Sequence, residues 1–161
     1  MRKLCFALIT CFIIGLTGTS YAQVQYEQDD FSGSKLVKSY IDNKTAKPFD
    51  AITYYNAGTQ ALWIYMYKPE WHFFGDKVDF KFNNNATDIL SVQAYKTDSE
   101  LTKGGGCTTD TALIIPPEVI TKIKTAESIA LRVYFANQPA VTYNVPSKML
   151  DEWKEVANAE L

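Results

Sequence analysis

The stretch Gln60–Lys68, QALWIYMYK, alternates between aliphatic and aromatic side chains. Successive side chains of a β-strand point to opposite faces, so a period of two predicts a strand with two chemically different faces. One face is aliphatic and is expected to point into the core: Leu62, Ile64 and Met66. The other face is aromatic and is expected to point away from the core: Trp63, Tyr65 and Tyr67.

The segments on either side of this strand also have the spacing of strands joined by short turns. Lys77–Phe82 alternates between charged and apolar residues, which is typical of a half-buried antiparallel strand. Asn83–Asn85 is expected to turn the chain into a partner strand over 88–95, because Asn tolerates left-handed conformations. Further strands are expected over 35–42, 49–56, 71–74, 111–115, 128–136 and 140–145, with a polar lead-in or edge strand over 23–33 and an irregular segment over 96–110.

Two segments near the C-terminus have helical spacing instead. Pro116-Pro117-Glu118 begins a predicted helix near 117–127, with apolar residues at Val119, Ile120, Ile123 and Ala126. Pro146-Ser147 begins a predicted C-terminal helix near 147–159, with one apolar side formed by Met149, Leu150, Trp153, Val156 and Ala157. The pattern predicts a β-rich α+β fold, an antiparallel sheet or sandwich with both helices packed on one side. A pure sandwich without the Val119 helix is the alternative.

The first 22 residues have the layout of a secretory signal peptide. Arg2 and Lys3 precede an apolar run, and Ser20-Tyr21-Ala22 supplies small residues before a cleavage site. We expect cleavage after Ala22 rather than lipidation at Cys11, and a single exported domain over 23–161 in the periplasm or outside the cell. Loss of the signal changes the formal charge from −2 to −4. This acidic balance, without a basic run, disfavours nucleic acid as a partner. No second long apolar stretch predicts a transmembrane segment in the mature chain.

Cys107 is the one cysteine that remains after signal removal, and it follows Gly104-Gly105-Gly106. An unpaired cysteine in an exported protein indicates a reactive or chain-linking thiol, here on a mobile glycine loop, or a buried small hydrophobe, or an inert exposed thiol. All three interpretations stay open, and the first predicts a disulfide-linked dimer. A Cys107–His72 catalytic dyad is disfavoured, because the two residues belong to no known nucleophile pattern.

The remaining polar residues match no catalytic or metal-binding pattern. His72 is the single histidine, whereas a zinc site needs three or four ligands. Carboxylates for a hydrolase are available at Glu70, Asp76, Asp79 and Glu100, but without any motif spacing. We therefore expect no metal, no cofactor and no enzymatic activity.

The aromatic residues are the strongest candidates for binding. Trp63, Tyr65 and Tyr67, with Trp71 in the following turn, predict a recognition surface for a protein or a glycan if the strand face is open. They form part of a second core if a sheet or the Trp153 helix covers them. Arg132, the single arginine after the signal, is expected on the strand face opposite Leu131 and Val133, as a surface charge or as an anion contact.

The order of elements from Gly106-Cys107 onward, with a strand, a helix, a hairpin over 128–145 and a terminal helix, resembles the tail of the invasion-associated locus B family. That resemblance implies an exported bacterial protein. The chain lacks the second cysteine that such proteins place shortly before the Gly-Cys pair.

These observations lead to one preferred functional hypothesis. It is an exported, non-enzymatic domain of the bacterial envelope that recognises another macromolecule through the aromatic strand face. The alternative is a periplasmic binder of small ligands or glycans that uses the same aromatic residues with Arg132 or Trp71. A hydrolase is the least favoured reading.

Overall fold

Ten strands and two helices make up the part of the chain that the computed structural model describes, residues 23–28, 33–42 and 45–161. The strands are β1 (Gln23–Gln28), β2 (Lys35–Asp42), β3 (Ala51–Asn56), β4 (Gln60–Lys68), β5 (Phe74–Phe82), β6 (Ile89–Gln93), β7 (Lys96–Leu101), β8 (Cys107–Ile114), β9 (Ile129–Phe135) and β10 (Val141–Asn144). The helices are α1 (Pro117–Thr125) and α2 (Ser147–Asn158). The predicted signal peptide, Asp29-Asp30 and the Asn43-Lys44 turn lie outside the described residues.

The strands form two antiparallel sheets. A six-stranded sheet has the order β1-β2-β3-β4-β8-β7, and a four-stranded sheet has the order β10-β9-β5-β6. The buried side chains of both sheets and both helices form one hydrophobic cluster. The predicted β-rich α+β fold is therefore confirmed, and the alternative without the Val119 helix is wrong.

The inward-facing residues of the four-stranded sheet are those that the alternation predicts. Val78 and Phe80 of β5 and Leu131 and Val133 of β9 are fully buried. Helix α1 buries Val119 and Ile123, and all five apolar residues predicted for one side of α2 are buried. The spacing of the apolar side chains along the sequence therefore predicts which residues of these elements are buried in the core.

Two strand assignments differ from the sequence prediction. The segment 96–110 is not irregular, because β7 occupies Lys96–Leu101 and β8 begins at Cys107. Residues of β7 are almost all polar and exposed, and an edge strand with one neighbour needs no apolar face. The expected short strand over 71–74 is also wrong. Most of that segment is a loop, and β5 begins at Phe74.

Helix α2 is attached to the six-stranded sheet by an aromatic contact and by a buried polar contact. Trp153 is fully buried and packs against Tyr54 of β3, with ring centroids 5.3 Å apart. Beside it, the buried Ser39 hydroxyl of β2 donates a hydrogen bond of 2.9 Å to Glu152 of α2. Burial raises the pKa of the Glu152 carboxyl, and the Ser39 hydrogen bond and Lys148 oppose that rise.

Replacing Glu152 should show separately what its hydrogen bond to Ser39 and its negative charge contribute to stability. A carboxyl whose pKa is raised by folding contributes stability below its unfolded pKa, and this contribution is lost as the pH rises through the folded pKa. Glu152→Gln keeps an acceptor for Ser39 without the charge. We therefore expect a higher thermal midpoint than the wild type at pH 7, and a difference that closes below about pH 4, the ordinary range of a glutamate pKa.

Glu152→Ala should lower stability by about 1–3 kcal/mol, because it leaves the buried Ser39 hydroxyl without its acceptor. Thermal melts of both variants from pH 3 to pH 8 measure the two effects. Glu70→Gln, the same substitution at an exposed glutamate in the loop after β4, is the matched control. Equal midpoints for wild type and Glu152→Gln at every pH would contradict a buried charge at this position.

Candidate functional site

Strand β4 lies inside the six-stranded sheet, between β3 and β8, and its two faces have different environments. Leu62, Ile64 and Met66 are buried in the core. Trp63 and Tyr65, on the outer face, are half-buried, and 43% of Tyr67 is exposed. Because Trp153 packs on Tyr54 at the inner face, α2 does not cover the aromatic side chains.

The aromatic side chains of β4 form a row that we call the aromatic ridge, consisting of Trp63, Tyr65 and Tyr67. The Trp63 and Tyr65 rings stack with their centroids 5.5 Å apart and an interplanar angle of 28°. The Trp63 indole Nε1 donates a hydrogen bond of 3.0 Å to Asp110 of β8. Each ring is thus held by a neighbour, which lowers the conformational entropy that a partner must remove on binding.

Short side chains flank the aromatic ridge on both neighbouring strands. Trp63 lies between Thr53 and Ala112 in the strand register, and Tyr65 has Ala51 on its β3 side. Neighbouring strands are about 4.8 Å apart, so Trp63 and Tyr65 are the largest side chains in their rows of the outer face. On its β8 side, Tyr65 is bordered by Asp110.

The position of the Tyr67 ring accounts for the glycine at position 106, directly before Cys107. A Cβ atom added at Gly106 would overlap the ring and the hydroxyl of Tyr67. The next glycine along the loop, Gly105, has a φ of +85°, a conformation that favours glycine. The glycine run therefore allows the backbone to pass close beneath Tyr67, and gives no support to the idea of an exposed, mobile thiol.

Carboxylates surround one end of the aromatic ridge. Asp50 accepts a hydrogen bond from the Tyr67 backbone amide, and Asp110 faces Tyr65 in the register. Burial and the charges of Asp50 and Asp110 raise the pKa of Tyr65. Asp98 of β7 lies directly opposite Asp110, and Lys96 pairs with Asp98 at 3.3 Å.

The Asp98–Asp110 pair places two like charges opposite each other on adjacent strands. Hydrogen bonds from Lys96 and from the Ser99 backbone lower the pKa of Asp98, so its carboxyl is ionised at neutral pH. Like charges in this arrangement destabilise a sheet. Sequence reasoning missed this pair, because β7 was not predicted as a strand.

Tyr40 of β2 and Tyr55 of β3 lie on the same outer face as the aromatic ridge. Tyr40 is 45% exposed, and Tyr55 is half-buried. Strand period alone indicated their faces, since each alternates with buried neighbours in its strand. The outer face thus carries five aromatic side chains within the described residues, and no described helix lies over them.

The structure places Cys107 and His72 in separate buried environments. Cys107 is 1% exposed, and its thiol contacts the Thr108 carbonyl at 3.5 Å. The His72 Nδ1 lies 3.0 Å from the Glu70 carbonyl, and its Nε2 has no hydrogen-bond partner among the described residues. The two side chains form no dyad. A thiol this buried also cannot meet a second chain without local opening, so the intermolecular bridge stays a prediction that the burial disfavours.

The four carboxylates considered for a hydrolase are dispersed. Asp79 lies on the four-stranded sheet and Glu100 on the six-stranded sheet, whereas Glu70 and Asp76 are exposed in or beside the loop between β4 and β5. Within the described ranges, no group of three or more His, Cys, Asp or Glu side chains is arranged to hold a metal ion. In the same ranges, no helix is long and apolar enough to cross a membrane.

Trp71 and Arg132 lie apart from the aromatic ridge. Trp71, 49% exposed, stacks on Phe73 in the loop after β4. Asn137 fixes that loop by accepting from the Phe73 amide and donating to the Trp71 carbonyl. Arg132 is on the outer face of the four-stranded sheet, as predicted, with its guanidinium 5.8 Å from the centre of the Tyr134 ring.

Comparison of the chain with protein-family models, with curated proteins and with solved structures gives no match. The resemblance to the invasion-associated locus B family therefore stays an expectation based on the order of elements. The functional argument depends on the geometry of the described residues.

The burial of Cys107 predicts that its thiol reacts slowly in the folded protein. We expect labelling by a small disulfide reagent to be slower in the native protein than in denaturant by about two orders of magnitude, because a thiol in a folded core reacts only after opening. Absorbance of the released thiolate measures both rates. Fast labelling of the native protein, or a reductant-sensitive dimer on a gel, would contradict the buried thiol.

Proposed function

We propose that this chain is an exported, non-enzymatic domain of the bacterial envelope that binds another protein through the aromatic ridge. The observation that carries this proposal is the preorganised Trp63–Tyr65 stack on an open sheet face, held by the Asp110 hydrogen bond. Trp and Tyr are enriched at protein interfaces, where their large area is buried at low entropic cost. The signal-like segment at 1–22 supports export.

The short side chains beside the aromatic ridge favour a macromolecule over a small ligand. Small-molecule sites are concave and surround most of the ligand surface. Thr53, Ala51 and Ala112, which flank the two stacked rings in the register, are too short to form the walls of such a site. In addition, the stack covers one face of the Trp63 ring and one face of the Tyr65 ring, which removes two of the surfaces on which a sugar would rest. A protein surface suits an open sheet face of this kind.

The charges beside the aromatic ridge favour a partner with Lys or Arg side chains. Asp98 and Asp110 lie opposite each other in the register, an arrangement in which like charges repel, and among the described residues Lys96 pairs with Asp98. A cationic side chain placed between them would relieve this repulsion and gain two attractions. The same cation would lie close to Tyr65, whose ring face can attract it. The partner that we propose is therefore a basic protein of the same compartment.

Removing the stacked pair should weaken binding strongly without unfolding the domain. For Trp63→Ala with Tyr65→Ala we expect a loss of about 2 kcal/mol or more, which is about a 30-fold weaker affinity, as for central interface aromatics. The measurement is capture of envelope proteins by the tagged, processed chain, quantified by mass spectrometry and then repeated with the purified partner. Tyr95→Ala, which removes the most exposed aromatic ring outside the ridge, is the matched control.

The result that supports the proposal is a basic protein retained by the wild type and by Tyr95→Ala but lost from the double variant at an unchanged thermal midpoint. Equal retention by the folded double variant would contradict a role of the ridge. A double variant that unfolds would show that the two rings stabilise the core, which also contradicts the proposal.

Asp110→Asn should change stability and binding in opposite directions. The asparagine oxygen still accepts from Trp63, but the repulsion from Asp98 disappears. We expect a higher thermal midpoint for the free domain and a weaker, less salt-dependent affinity for the partner. Asp76→Asn, which removes an exposed charge from the other sheet, is the control. A fall in thermal midpoint, or unchanged partner affinity, would contradict the charge argument.

A further inference from the structure

The outer face of the four-stranded sheet contains a cavity of about 150 Å³ that the proposed function does not use. Its walls combine two cations, a hydroxyl group and apolar surface. The residues that form it are Asp79, Lys81, Ile89, Ala130, Arg132 and Thr142, with Leu131.

The strand register explains why this cavity exists. Ala130 of β9 lies between Lys81 of β5 and Asn144 of β10, so a short side chain occupies the centre of three strands. Ala130 is 6% exposed and forms the floor. Arg132 follows two residues later on the same face, diagonal to Lys81. Long side chains in a diagonal relation can reach the same point above a sheet.

Among the described residues, neither cation of the cavity, Lys81 or Arg132, makes an ion pair or a side-chain hydrogen bond. The Arg132 guanidinium lies over the Tyr134 ring. Asp79 lies directly opposite Arg132 in the strand register, but its carboxylate accepts hydrogen bonds from Ser91 and Tyr134 and pairs with Lys77 at 3.6 Å. The cavity therefore presents free positive charge, while its one negative charge is already compensated.

From this arrangement we propose that the cavity binds a small organic carboxylate. The planar Arg132 guanidinium matches a carboxylate with two parallel hydrogen bonds, and the Lys81 ammonium adds a second charge-assisted contact. The Thr142 hydroxyl is available as a third donor at the edge of the site. Ile89, which is 46% exposed, provides apolar surface for the hydrocarbon part of the ligand. This site is on the opposite sheet from the aromatic ridge and does not depend on the proposed protein partner.

The test is an amide NMR titration of the full chain, purified as the host exports it, with hexanoate as the probe. Sodium chloride at matched ionic strength is the reference for screening. We expect saturable shifts at the amides of Lys81, Ala130 and Arg132, with chloride giving none. Arg132→Gln and Lys81→Gln should each weaken hexanoate binding about tenfold, the size of one charge-assisted contact.

Lys124→Gln is the matched control, because Lys124 carries the same charge, is exposed on α1 and does not line the cavity. It should leave the hexanoate affinity unchanged. Shifts that never saturate, or an equal loss in Lys124→Gln and Arg132→Gln, would overturn the proposal. Inorganic phosphate is the comparison anion. Binding of phosphate as tight as that of hexanoate would overturn the carboxylate assignment, since phosphate has no hydrocarbon part to contact Ile89.

A second variant tests the cavity without altering its charge. Ala130→Leu fills the floor and keeps both cations. We expect loss of saturable hexanoate shifts, with the remaining amide spectrum and the thermal midpoint retained. Hexanoate binding of wild-type affinity in Ala130→Leu would show that the cavity is not the site.

Discussion

The constraint on which the structure depends is the register of β4 between β3 and β8. Because strand side chains alternate, a shift of one residue would move Leu62, Ile64 and Met66 out of the core and bring the aromatic ridge into it. Burial of three aliphatic side chains therefore fixes at the same time the direction in which Trp63, Tyr65 and Tyr67 point. The core and the proposed recognition surface are two consequences of one register, so the exposure of the rings follows from the hydrophobic packing beneath them.

Helix α2 covers the inner face of the six-stranded sheet on the β1–β3 side. It packs on the inner face through Trp153 against Tyr54, and the Ser39–Glu152 hydrogen bond holds a polar pair within that contact. The other half of the inner face is covered by the four-stranded sheet, whose own inner residues join the same cluster. With the inner face covered in this way, the outer face is the one that we propose for binding. The two outer faces also differ, because carboxylates lie beside the aromatic ridge and free cations lie at the Ala130 cavity.

The sequence predicted the parts of this structure that depend on periodicity. The two faces of β4, the inward residues of β5 and β9, and the apolar side of α2 follow from the 2.0 and 3.6 periods alone. Strand β7 was not predictable in this way, since an exposed edge strand carries no apolar period. The Asp98–Asp110 pair lies in the hairpin of β7 and β8, so it was missed together with β7. The Ala130 floor depends on the pairing of β5 with β9, and these two strands are far apart in sequence. Pairing of distant strands is tertiary information that a local pattern lacks.

Our central claim is that one register separates a buried aliphatic face from an outward-facing aromatic ridge, which we propose binds a protein. Hydroxyl-radical footprinting read by mass spectrometry tests this claim most directly. In the free protein we expect oxidation of Trp63, Tyr65 and Tyr67, with protection of Met66, which is buried in spite of its readily oxidised sulfur. With the envelope fraction added, the ridge should become protected while Tyr95 stays reactive. Rapid oxidation of Met66 in the free protein, or unchanged oxidation of the ridge with the envelope fraction, would contradict this account.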